Sequence, residues 1–256
     1  MESKIKGLFN DLIAERNGRV FLELEECTST NDEAKKLMSG GGECVVISGR
    51  QTAGRGRLGR SFDSEEGGLY MSVGRRPSLS PEQCMPVTAL AGLAVSRAVD
   101  AVCSAGSMVK WPNDVLIEGK KICGILTEAV HSSQGFYIII GMGTNLKNRL
   151  PEELSKAGSI LDITGAAPEP MELASEILKN LDEILEEFEK KGTAGLMEAY
   201  SDRCVNIGRE VSASAGNEHV CGIVEGVDGE GALLVRKEGK LVRVMSGEAT
   251  LRNQGI

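Results

Sequence analysis

The chain has 256 residues, and its 29 Lys and Arg against 37 Asp and Glu give a formal net charge of −8. Since 41% of the residues are hydrophobic and 26% are charged, the composition matches globular proteins and argues against disordered, collagen-like and solenoid classes. No uncharged apolar run reaches the roughly 18 residues of a membrane span, and charges interrupt the N-terminal apolar positions, unlike those of a secretory signal. We therefore expect a cytoplasmic protein with no membrane association, built from one large and one small domain.

The cysteines and histidines limit the chemistry that the chain can carry out. The seven cysteines contain no CxxC pair, so neither a disulfide framework nor a zinc ribbon is indicated, and we expect reduced, mostly buried thiols. The two histidines, His131 and His219, lie far apart in the sequence, which disfavours metal cages and Ser-His-Asp catalysis. Any catalysis should therefore depend on Lys, Arg and Asp.

The N-terminal third of the chain predicts alternating helices and strands. Five apolar residues share one helical face, at Ile5, Leu8, Phe9, Leu12 and Ile13. This spacing predicts a short amphipathic helix that ends near Asn17-Gly18. The next predicted elements are a strand at 20–24, a helix at 32–38 with N-cap candidates in Ser29-Thr30-Asn31, a strand at 44–48, a Gly- and Arg-rich loop at 49–68 and a strand at 69–73.

The rest of the chain predicts an antiparallel meander, a long helix and a group of short strands. Ser80-Pro81 begins a predicted helix that continues to Gly106. The later elements are predicted as strands around 109–110, 115–117, 121–130 and 136–142, a helix at 173–188, and short strands at 210–213, 219–225, 232–236 and 241–245. Asp228-Gly229 and Glu238-Gly239 are hairpin signals. The pattern predicts an α+β domain over residues 1–204 and a small β-barrel over residues 205–256.

The segment from Gly54 to Arg60 places three arginines and three glycines in seven residues. Glycine permits close backbone approach, and arginine supplies a fixed fork of donors for phosphate or carboxylate oxygens. The segment therefore predicts an anion-binding loop. An RNA-binding loop is an alternative, but the protein is acidic and no aromatic residue lies between the arginines. A solvated structural loop is the other alternative and is the less favoured reading, because long loops are often functional.

Two further clusters combine charged or amide side chains with strand ends. In Lys110-Trp111-Pro112-Asn113-Asp114 the single Trp precedes a Pro, which favours an extended backbone, but a plain turn explains the spacing equally well. Lys121 opens an apolar strand in which Gly124 is a candidate for close ligand approach, although a lysine there can simply reach solvent. Gly141-Met142-Gly143-Thr144-Asn145 lacks the full GxGxxG spacing, so it does not predict a Rossmann fold.

Taken in order, the motifs closely resemble those of the biotin protein ligase family. The residues that carry the resemblance are Ser29-Thr30-Asn31, Gln51 to Arg60, Lys110 to Asp114, Lys121 to Leu126, Gly141 to Asn145 and Gly247 to Arg252. Their joint order and spacing are specific, and they cover nearly the whole chain. The resemblance implies a mixed, largely antiparallel sheet with helices packed on one side, similar to class II synthetases, and a small C-terminal SH3-like barrel.

The resemblance also implies an activity. A ligase of this family converts biotin and ATP with Mg²⁺ into biotinyl-5′-AMP and pyrophosphate, and then transfers biotin to a lysine of a biotin carboxyl carrier protein. The resemblance further implies a homodimer formed through the side of the catalytic sheet, and it implies no nucleic-acid partner. The alternative is a lipoate or octanoate ligase or transferase of related fold, which should show a histidine beside its Gly-rich loop. The loop from Gly54 to Arg60 has no such histidine.

Site residues follow from the resemblance, position by position. Ser29, Thr30, Asn31 and Gln51 match residues that hydrogen-bond biotin. The residues matching the loop that folds over the adenylate are Arg55, Gly56 and Arg57. Lys121 matches a lysine that touches the biotin carboxylate and the phosphate. The remaining matches are Gly124 and Gly141 for biotin, and Arg60, Lys110, Trp111, Asn113, Asn145 and Arg252 for ATP or the adenylate.

Three of these positions are expected to carry the chemistry, and none is assigned to a metal. Lys121 and Arg57 are cations that can stabilise the negative charge that accumulates when a carboxylate attacks a phosphate. Asp114 is a hypothesis, as a group that orients or deprotonates the incoming lysine. Leu58 stands where some relatives carry a further basic residue, so the loop has one positive charge fewer than theirs.

The length before Ser29 bears on a second activity found in the family. The 28 residues that precede it are too few for the winged helix-turn-helix domain of repressor-type members. The net charge of −8 agrees, because DNA affinity depends on Lys and Arg neutralising phosphates. We expect a monofunctional ligase without operator binding.

Overall fold

The structure, a computed structural model, describes residues 12–16, 18–133, 135–215, 218–245 and 247–251. The first elements in chain order are β1 Leu12–Arg16, β2 Arg19–Cys27, α1 Thr30–Met38, β3 Glu43–Gln51, β4 Leu69–Arg75, α2 Val87–Cys103, β5 Met108–Lys110, β6 Asp114–Ile117, β7 Lys120–Ser132 and β8 Gly135–Thr144. They are followed by α3 Ile160–Thr164, α4 Pro170–Lys191, α5 Ala194–Ser201, β9 Glu210–Ala215, β10 Glu218–Val227, β11 Leu233–Lys237, β12 Lys240–Val244 and β13 Glu248–Leu251.

The chain divides into two compact units, each assembled from separate segments. The first unit contains Met1–Pro77 and Leu126–Ser175, and the second contains Ser78–Ile125 and Glu176–Ile256. Strand β7 and helix α4 contribute residues to both units. The predicted division into residues 1–204 and 205–256 was placed where short strand-like segments with Gly-rich turns begin. It differs from these units and stays a prediction.

The first unit is built on a mixed sheet. Its strands lie in the order β1-β2-β3-β4-β8, followed by the part of β7 that belongs to this unit, residues 126–132. Strands β2 and β3 run parallel, whereas the pairs β1–β2, β3–β4 and β4–β8 are antiparallel. The β4–β8 register places Ser72 directly opposite Gly141, a pairing on which the candidate site depends.

Helix α1 packs its apolar face on this sheet. Ala34 and Met38 are fully buried in a cluster with residues of β3 and β8, namely Cys44, Val46, Tyr137 and Ile139. Acidic residues in its first turn and lysines in its last turn suit the helix dipole. Because the apolar face is anchored, the N-terminal end of α1, where three candidate site residues lie, has a defined position.

The predicted N-terminal helix is wrong over the residues that the structure describes. Leu12–Arg16 is strand β1, and its antiparallel pairing with β2 places Arg16 opposite Arg19. The preceding residues, 1–11, lie outside the described part of the chain. Gly18, directly before β2, has a φ of 74°, a left-handed conformation that glycine readily adopts in tight turns. Strand pairing thus overrides a spacing of apolar residues that also fits a helix.

Helix α2 of the second unit begins later than predicted. It starts at Val87 rather than at Ser80, with Pro86 in the N-cap position, and residues 81–86 form turns. Met85 precedes Pro86, and the residue before a proline is disfavoured in helical backbone. The second proline therefore marks the start of the helix. The meander that follows is confirmed, because β5–β6 and β6–β7 both pair antiparallel.

The C-terminal part of the second unit forms a separate antiparallel sheet. Its five strands lie in the order β12-β11-β10-β9-β13, and β13 was not predicted from the sequence. The predicted hairpin at Glu238-Gly239 is confirmed, with φ values of 49° and 79° and Lys237 opposite Lys240. The predicted α+β class, with a mixed sheet, packed helices and a second antiparallel sheet, is confirmed as well.

The thiols agree with the expectation of reduced, mostly buried cysteines. None of the seven cysteines, all of which lie in the described ranges, forms a disulfide, and Cys44, Cys84, Cys123 and Cys204 are buried. Burial raises the pKa of Cys44 to about 11, so this thiol stays protonated at neutral pH. Among the helices that the structure describes, none has the length and apolar character needed to cross a membrane.

Candidate functional site

The start of α1 presents three buried polar residues, Ser29, Thr30 and Asn31. Ser29 takes the N-cap position with an extended backbone, but the predicted side-chain cap is not made. The N–H groups of Asp32 and Glu33 donate instead to the Ser29 carbonyl. A buried polar triplet that does not cap its helix needs other partners.

Gln51, at the end of β3, is the first of these partners. Its Oε1 accepts hydrogen bonds from the Thr30 N–H at 2.8 Å and from Thr30 Oγ1 at 3.1 Å. Its Nε2 donates to Ser64 Oγ at 2.9 Å. Because a backbone N–H can only donate, the amide oxygen must face Thr30, and the orientation of the Gln51 amide is fixed.

Ser72 and Glu128 complete the same network around Asn31. Ser72 Oγ, fully buried on β4, donates to Asn31 Oδ1 at 2.6 Å and lies 2.8 Å from Thr30 Oγ1. Asn31 Nδ2 donates to Glu128 Oε2 at 2.6 Å and to the Leu126 carbonyl at 3.4 Å. We call the connected set the polar network; its members are Ser64, Gln51, Thr30, Ser72, Asn31 and Glu128.

Glu128 and Asp32 hold two cations beside this network. Glu128 Oε1 accepts from Lys35 Nζ at 2.7 Å, and its Oε2 lies 3.5 Å from Arg55. Arg55 donates two hydrogen bonds of 2.6 Å to Asp32. Burial alone would raise the pKa of Glu128, but hydrogen bonds from Lys35 and Asn31 outweigh it and hold that pKa below its usual value. The hydrogen bond from Arg55 likewise lowers the pKa of Asp32, so both groups are ionised at neutral pH.

The two glycines of Gly141-Met142-Gly143 have a packing role. A Cβ built on Gly141 would overlap Asn31 Oδ1, and one on Gly143 would overlap the ring of Phe62. Each glycine therefore makes room for a side chain that reaches β8 from another segment. The weak nucleotide-loop signal of this motif is explained by these two close approaches.

The Gly- and Arg-rich loop closes on itself. The Gly56 N–H donates to the Arg60 carbonyl at 2.7 Å, and the Phe62 N–H donates to the Gly54 carbonyl at 2.9 Å. Leu58 lies at the tip with a φ of 55° and 72% exposure, while Arg57 is half-buried and Arg60 is exposed. The loop thus has a defined conformation and an exposed apolar tip. Both features suit a segment that covers a ligand.

Lys121 and Asp114 form an ion pair in the second unit, and a β-bulge makes it possible. The β6–β7 register pairs Val115 with Cys123 and then Leu116 with Lys121, so β7 carries one extra residue. In a regular ladder Lys121 would lie on the opposite face from Asp114, because successive side chains alternate. The bulge brings Lys121 Nζ within 2.7 Å of Asp114 Oδ1.

The other predicted residues of the second unit serve its framework. Trp111 is buried, its N–H donates to Asn206 Oδ1 and its Nε1–H donates to the Gly231 carbonyl, both at 2.8 Å. Asn113 Nδ2 donates to the Ile125 carbonyl at 3.0 Å. Lys110 ends β5, and Gly124 lies opposite Asp114. Nucleotide contacts of Trp111 and Asn113 stay predictions.

The last predicted positions are placed only in part. Asn145 is buried in the first unit, where its Oδ1 accepts from Asn148 Nδ2 at 3.2 Å. Arg252 lies outside the described residues. Within the described ranges, no group of three or more His, Cys, Asp and Glu side chains could hold a metal ion.

Sequence reasoning missed four polar residues that the structure assigns to the network or its ion pairs: Ser64, Ser72, Asp32 and Glu128. Ser72 had a visible signal, since it is a polar residue between Met71 and Val73 in a largely apolar strand. Glu128 had a weaker one, since it lies between Thr127 and Ala129 in β7. Such a residue needs a hydrogen-bond partner once it is buried. Its partner cannot be read from the sequence, because Asn31 and Glu128 lie 97 residues apart.

Comparison with known proteins decides the family. Residues 25–145 match the Biotin/lipoate A/B protein ligase family, and residues 207–252 match the Biotin protein ligase C terminal domain. A biotin–[acetyl-CoA-carboxylase] ligase from Paracoccus denitrificans is 32% identical over 222 residues, which cover 83% of this chain and 92% of that protein. The chain belongs to the biotin protein ligase family.

Two further relatives extend the comparison. The bifunctional ligase/repressor BirA of Bacillus spizizenii is 30% identical over 213 residues, and the match spans 81% of this chain but 66% of that protein. A biotin protein ligase from Aquifex aeolicus in complex with biotin and ATP has a TM-score of 0.79 and 32% identity, covering 91% of this chain and 99% of that one. The predicted family and enzyme class are confirmed, and biotin ligation is favoured over the lipoate or octanoate alternative.

Proposed function

We propose that this biotin protein ligase activates biotin with ATP as biotinyl-5′-AMP and transfers it to a lysine of a biotin carboxyl carrier protein. The observation that carries the proposal is the similarity to the Aquifex aeolicus ligase, which covers 91% of this chain and whose structure contains biotin and ATP. The polar network supports it, because a small ligand such as biotin is oriented by a few fixed polar groups in an apolar pocket.

Biotin recognition is assigned to the first unit, around Ser29, Thr30, Asn31 and Gln51. The amides of Asn31 and Gln51 are already oriented by protein partners, so little ordering remains to be done when the ligand binds. Gly141 supports this role indirectly, since it leaves room for the Asn31 amide. Arg55 and Gly56 of the same unit are assigned to biotin with them, and Gly124, which belongs to the second unit, has its own assignment to biotin.

In the first step, an oxygen of the biotin carboxylate attacks the α-phosphorus of ATP. The bond from that phosphorus to the bridging oxygen breaks, and pyrophosphate leaves. Because two anions approach each other, fixed cationic donors must stabilise the charge that accumulates. We assign Lys121 to the carboxylate and phosphate oxygens and Arg57 to the adenylate. Asp114 holds the Lys121 ammonium before the ligands arrive.

In the second step, a neutral lysine amine of the carrier attacks the acyl carbon of biotinyl-AMP. The bond between that carbon and the phosphate oxygen breaks, AMP leaves, and the nitrogen loses a proton to form the amide. Asp114 is the proposed group that orients or deprotonates the amine. The carboxylate is available for this role when Lys121 turns toward the phosphate.

Water must be kept from the mixed anhydride between the two steps. The loop from Gly54 to Arg60 is the proposed cover, because its internal hydrogen bonds give it a defined form. Nucleotide contacts are assigned to further residues, namely Arg60, Lys110, Trp111, Asn113, Asn145 and Arg252.

Magnesium enters this scheme with ATP. Phosphate oxygens suit Mg²⁺, which commonly keeps several waters and few protein ligands. No triplet of His, Cys, Asp and Glu side chains in the described part of the chain is arranged to hold an ion. Bound MgATP would supply charge neutralisation at the phosphates.

Partners and location belong to the same proposal. The acceptor is a biotin carboxyl carrier protein, since the Paracoccus denitrificans relative is named for acetyl-CoA-carboxylase. We further propose a homodimer formed through sheet edges, a cytoplasmic location, and a catalytic domain over residues 1–204 followed by a barrel over residues 205–256. Size-exclusion chromatography with light scattering tests the dimer.

The activity is tested by incubating the protein with α-labelled ATP, magnesium, biotin and a purified carrier domain. We expect labelled biotinyl-AMP when the carrier is absent and biotinylated carrier when it is present. Lipoate and octanoate serve as matched acids in parallel reactions. Activity with lipoate and none with biotin would contradict the proposal, as would the absence of any adenylate.

A further inference from the structure

We infer that Glu128 is a positioning residue for biotin recognition, which fixes the orientation of the Asn31 amide and holds the Arg55 guanidinium. The inference rests on the proposed function, in which Asn31 and Arg55 bind biotin. Glu128 itself needs no contact with the ligand. It acts through the two side chains that its carboxylate holds.

The contacts of Glu128 divide between its two oxygens. Oε1 accepts from Lys35 Nζ at 2.7 Å, while Oε2 accepts from Asn31 Nδ2 at 2.6 Å and lies 3.5 Å from Arg55. The side chain is 26% exposed. A partly buried carboxylate is stabilised by the cations and donors that contact its oxygens, and both oxygens of Glu128 have such partners.

The Asn31 amide depends on Glu128 for its orientation. The oxygen and nitrogen of an asparagine amide have nearly the same size, so only the partners decide which one points where. Ser72 is a hydroxyl that can donate or accept, and it therefore fits either orientation. Glu128 can only accept. At 2.6 Å it is also a closer partner than the Leu126 carbonyl at 3.4 Å.

Charge gives Glu128 a second role. The cluster of Lys35, Arg55, Asp32 and Glu128 contains two positive and two negative groups and is neutral overall. Replacing Glu128 by a neutral group leaves one positive charge beside Asn31. Arg55 then keeps Asp32 as a partner but loses its contact with the Glu128 oxygen that also accepts from Asn31.

Glu128→Gln is the central variant, because it keeps the shape of the side chain while its new amide can present either an oxygen or an N–H group to Asn31. We expect the KM for biotin to rise about tenfold, as for the loss of a charge-assisted hydrogen bond. The KM for ATP and kcat at saturating biotin should stay within about twofold. Glu128→Asp keeps the charge and should recover part of the loss, which a purely steric effect would not do.

Lys35→Met is the matched control. It removes the other strong partner of Glu128 but leaves the Asn31 hydrogen bond in place. We expect its KM for biotin to stay within about twofold of the parent protein. In ¹⁵N spectra, the Asn31 side-chain amide signals should shift in Glu128→Gln and not in Lys35→Met.

The outcomes separate the positioning role from the proposed function. If the parent protein binds biotin in direct titration but forms no biotinyl-AMP, the proposed function fails, and the titrations of the variants still test Glu128. An unchanged biotin KM or affinity in Glu128→Gln would overturn the inference. A rise in the KM for ATP and a fall in kcat as large as the change in the biotin KM, together with a lower melting temperature, would also overturn it. That pattern marks general unfolding. A parent protein that does not bind biotin overturns both.

Discussion

The two units hold their candidate residues in different ways. In the first unit, the polar network joins six side chains, and four of them, Thr30, Asn31, Ser64 and Ser72, are buried. In the second unit, Lys121 and Asp114 form a half-exposed pair that depends on one β-bulge. A network held by several partners suits recognition, because it is formed before the ligand arrives. A single ion pair suits a catalytic role, because a bound ligand can separate Lys121 from Asp114.

Lys121→Ala tests the chemical side of this comparison and should give the largest effect. Loss of a donor that stabilises charge in the transition state lowers the rate by about 10²–10³-fold. We therefore expect biotinyl-AMP formation to fall by that factor in single-turnover assays. The melting temperature should stay close to that of the parent, since the side chain is 32% exposed. Near-normal turnover would contradict the role of Lys121.

Gly141→Ala tests the recognition side through packing. The new Cβ would overlap Asn31 Oδ1, so the amide must shift, and we expect the KM for biotin to rise about tenfold with a loss of about 1–3 kcal/mol of stability. Gly195→Ala is the control, since a Cβ there meets nothing within 4 Å and alanine favours helix α5 by about 0.5–1 kcal/mol. A Gly141→Ala protein with the parent's biotin KM would show that Asn31 has no part in recognition.

Arg57→Ala tests the loop as a cover for the intermediate. Arg57 lies in the self-closed segment and is half-buried. We expect bound biotinyl-AMP to leave severalfold faster in filter-binding assays with labelled adenylate, while biotin affinity changes less. Arg149→Ala, at an exposed position outside the loop, is a control of equal charge change. Unchanged release from Arg57→Ala would show that the loop does not retain the adenylate.

Arg203→Met gives the smallest expected effect and concerns the framework of the second unit. Burial alone would raise the pKa of Asp100, but hydrogen bonds from Arg203 and Ser107 outweigh it, so that pKa lies below its usual value. A lowered carboxyl pKa adds stability above the unfolded pKa of about 4, and this stability disappears as pH falls through the folded pKa. We expect the variant to lose about 0.2–1 kcal/mol at pH 7, as for a partly exposed ion pair.

The pH dependence provides the check on that expectation. In urea denaturation, the free energies of unfolding of the parent protein and of Arg203→Met should differ fully above about pH 5. The two free energies should converge as the pH falls below about 4. Biotin KM should not change, because Asp100 and Arg203 contact framework residues such as Ser96 and Ser107. A difference in stability that is constant with pH would rule out the ion pair as its cause.

Apolar spacing predicted most of the fold, and the misses have local causes. The strand at 69–73 and the long helix at 173–188 were correct because their patterns are long or bounded by turn residues. β1 was missed because the spacing of Leu12 and Ile13 fits a helix as well as a strand. The start of α2 was misplaced because two prolines, Pro81 and Pro86, both suit a helix start.

The candidate site could be predicted as a set of residues but not as an arrangement. Motif order located Ser29, Gln51 and Lys121, and local chemistry explained their types. The bulge that turns Lys121 toward Asp114 depends on pairing between strands, and no residue type marks it. Glu128 was not predicted as a site residue, because its partner Asn31 is distant in the sequence. Long-range pairing is the information that composition and periodicity do not contain.

Titration of biotin into ATP-free protein, comparing the parent with Ser72→Ala, tests the central claim most directly. Ser72→Ala removes the hydroxyl that joins Thr30 to Asn31 and leaves Lys121 and Asp114 untouched. If the polar network recognises biotin, the parent binds and the variant binds about tenfold more weakly, as for an unsatisfied buried polar group. Equal affinity in the two proteins would contradict the claim that this network holds biotin.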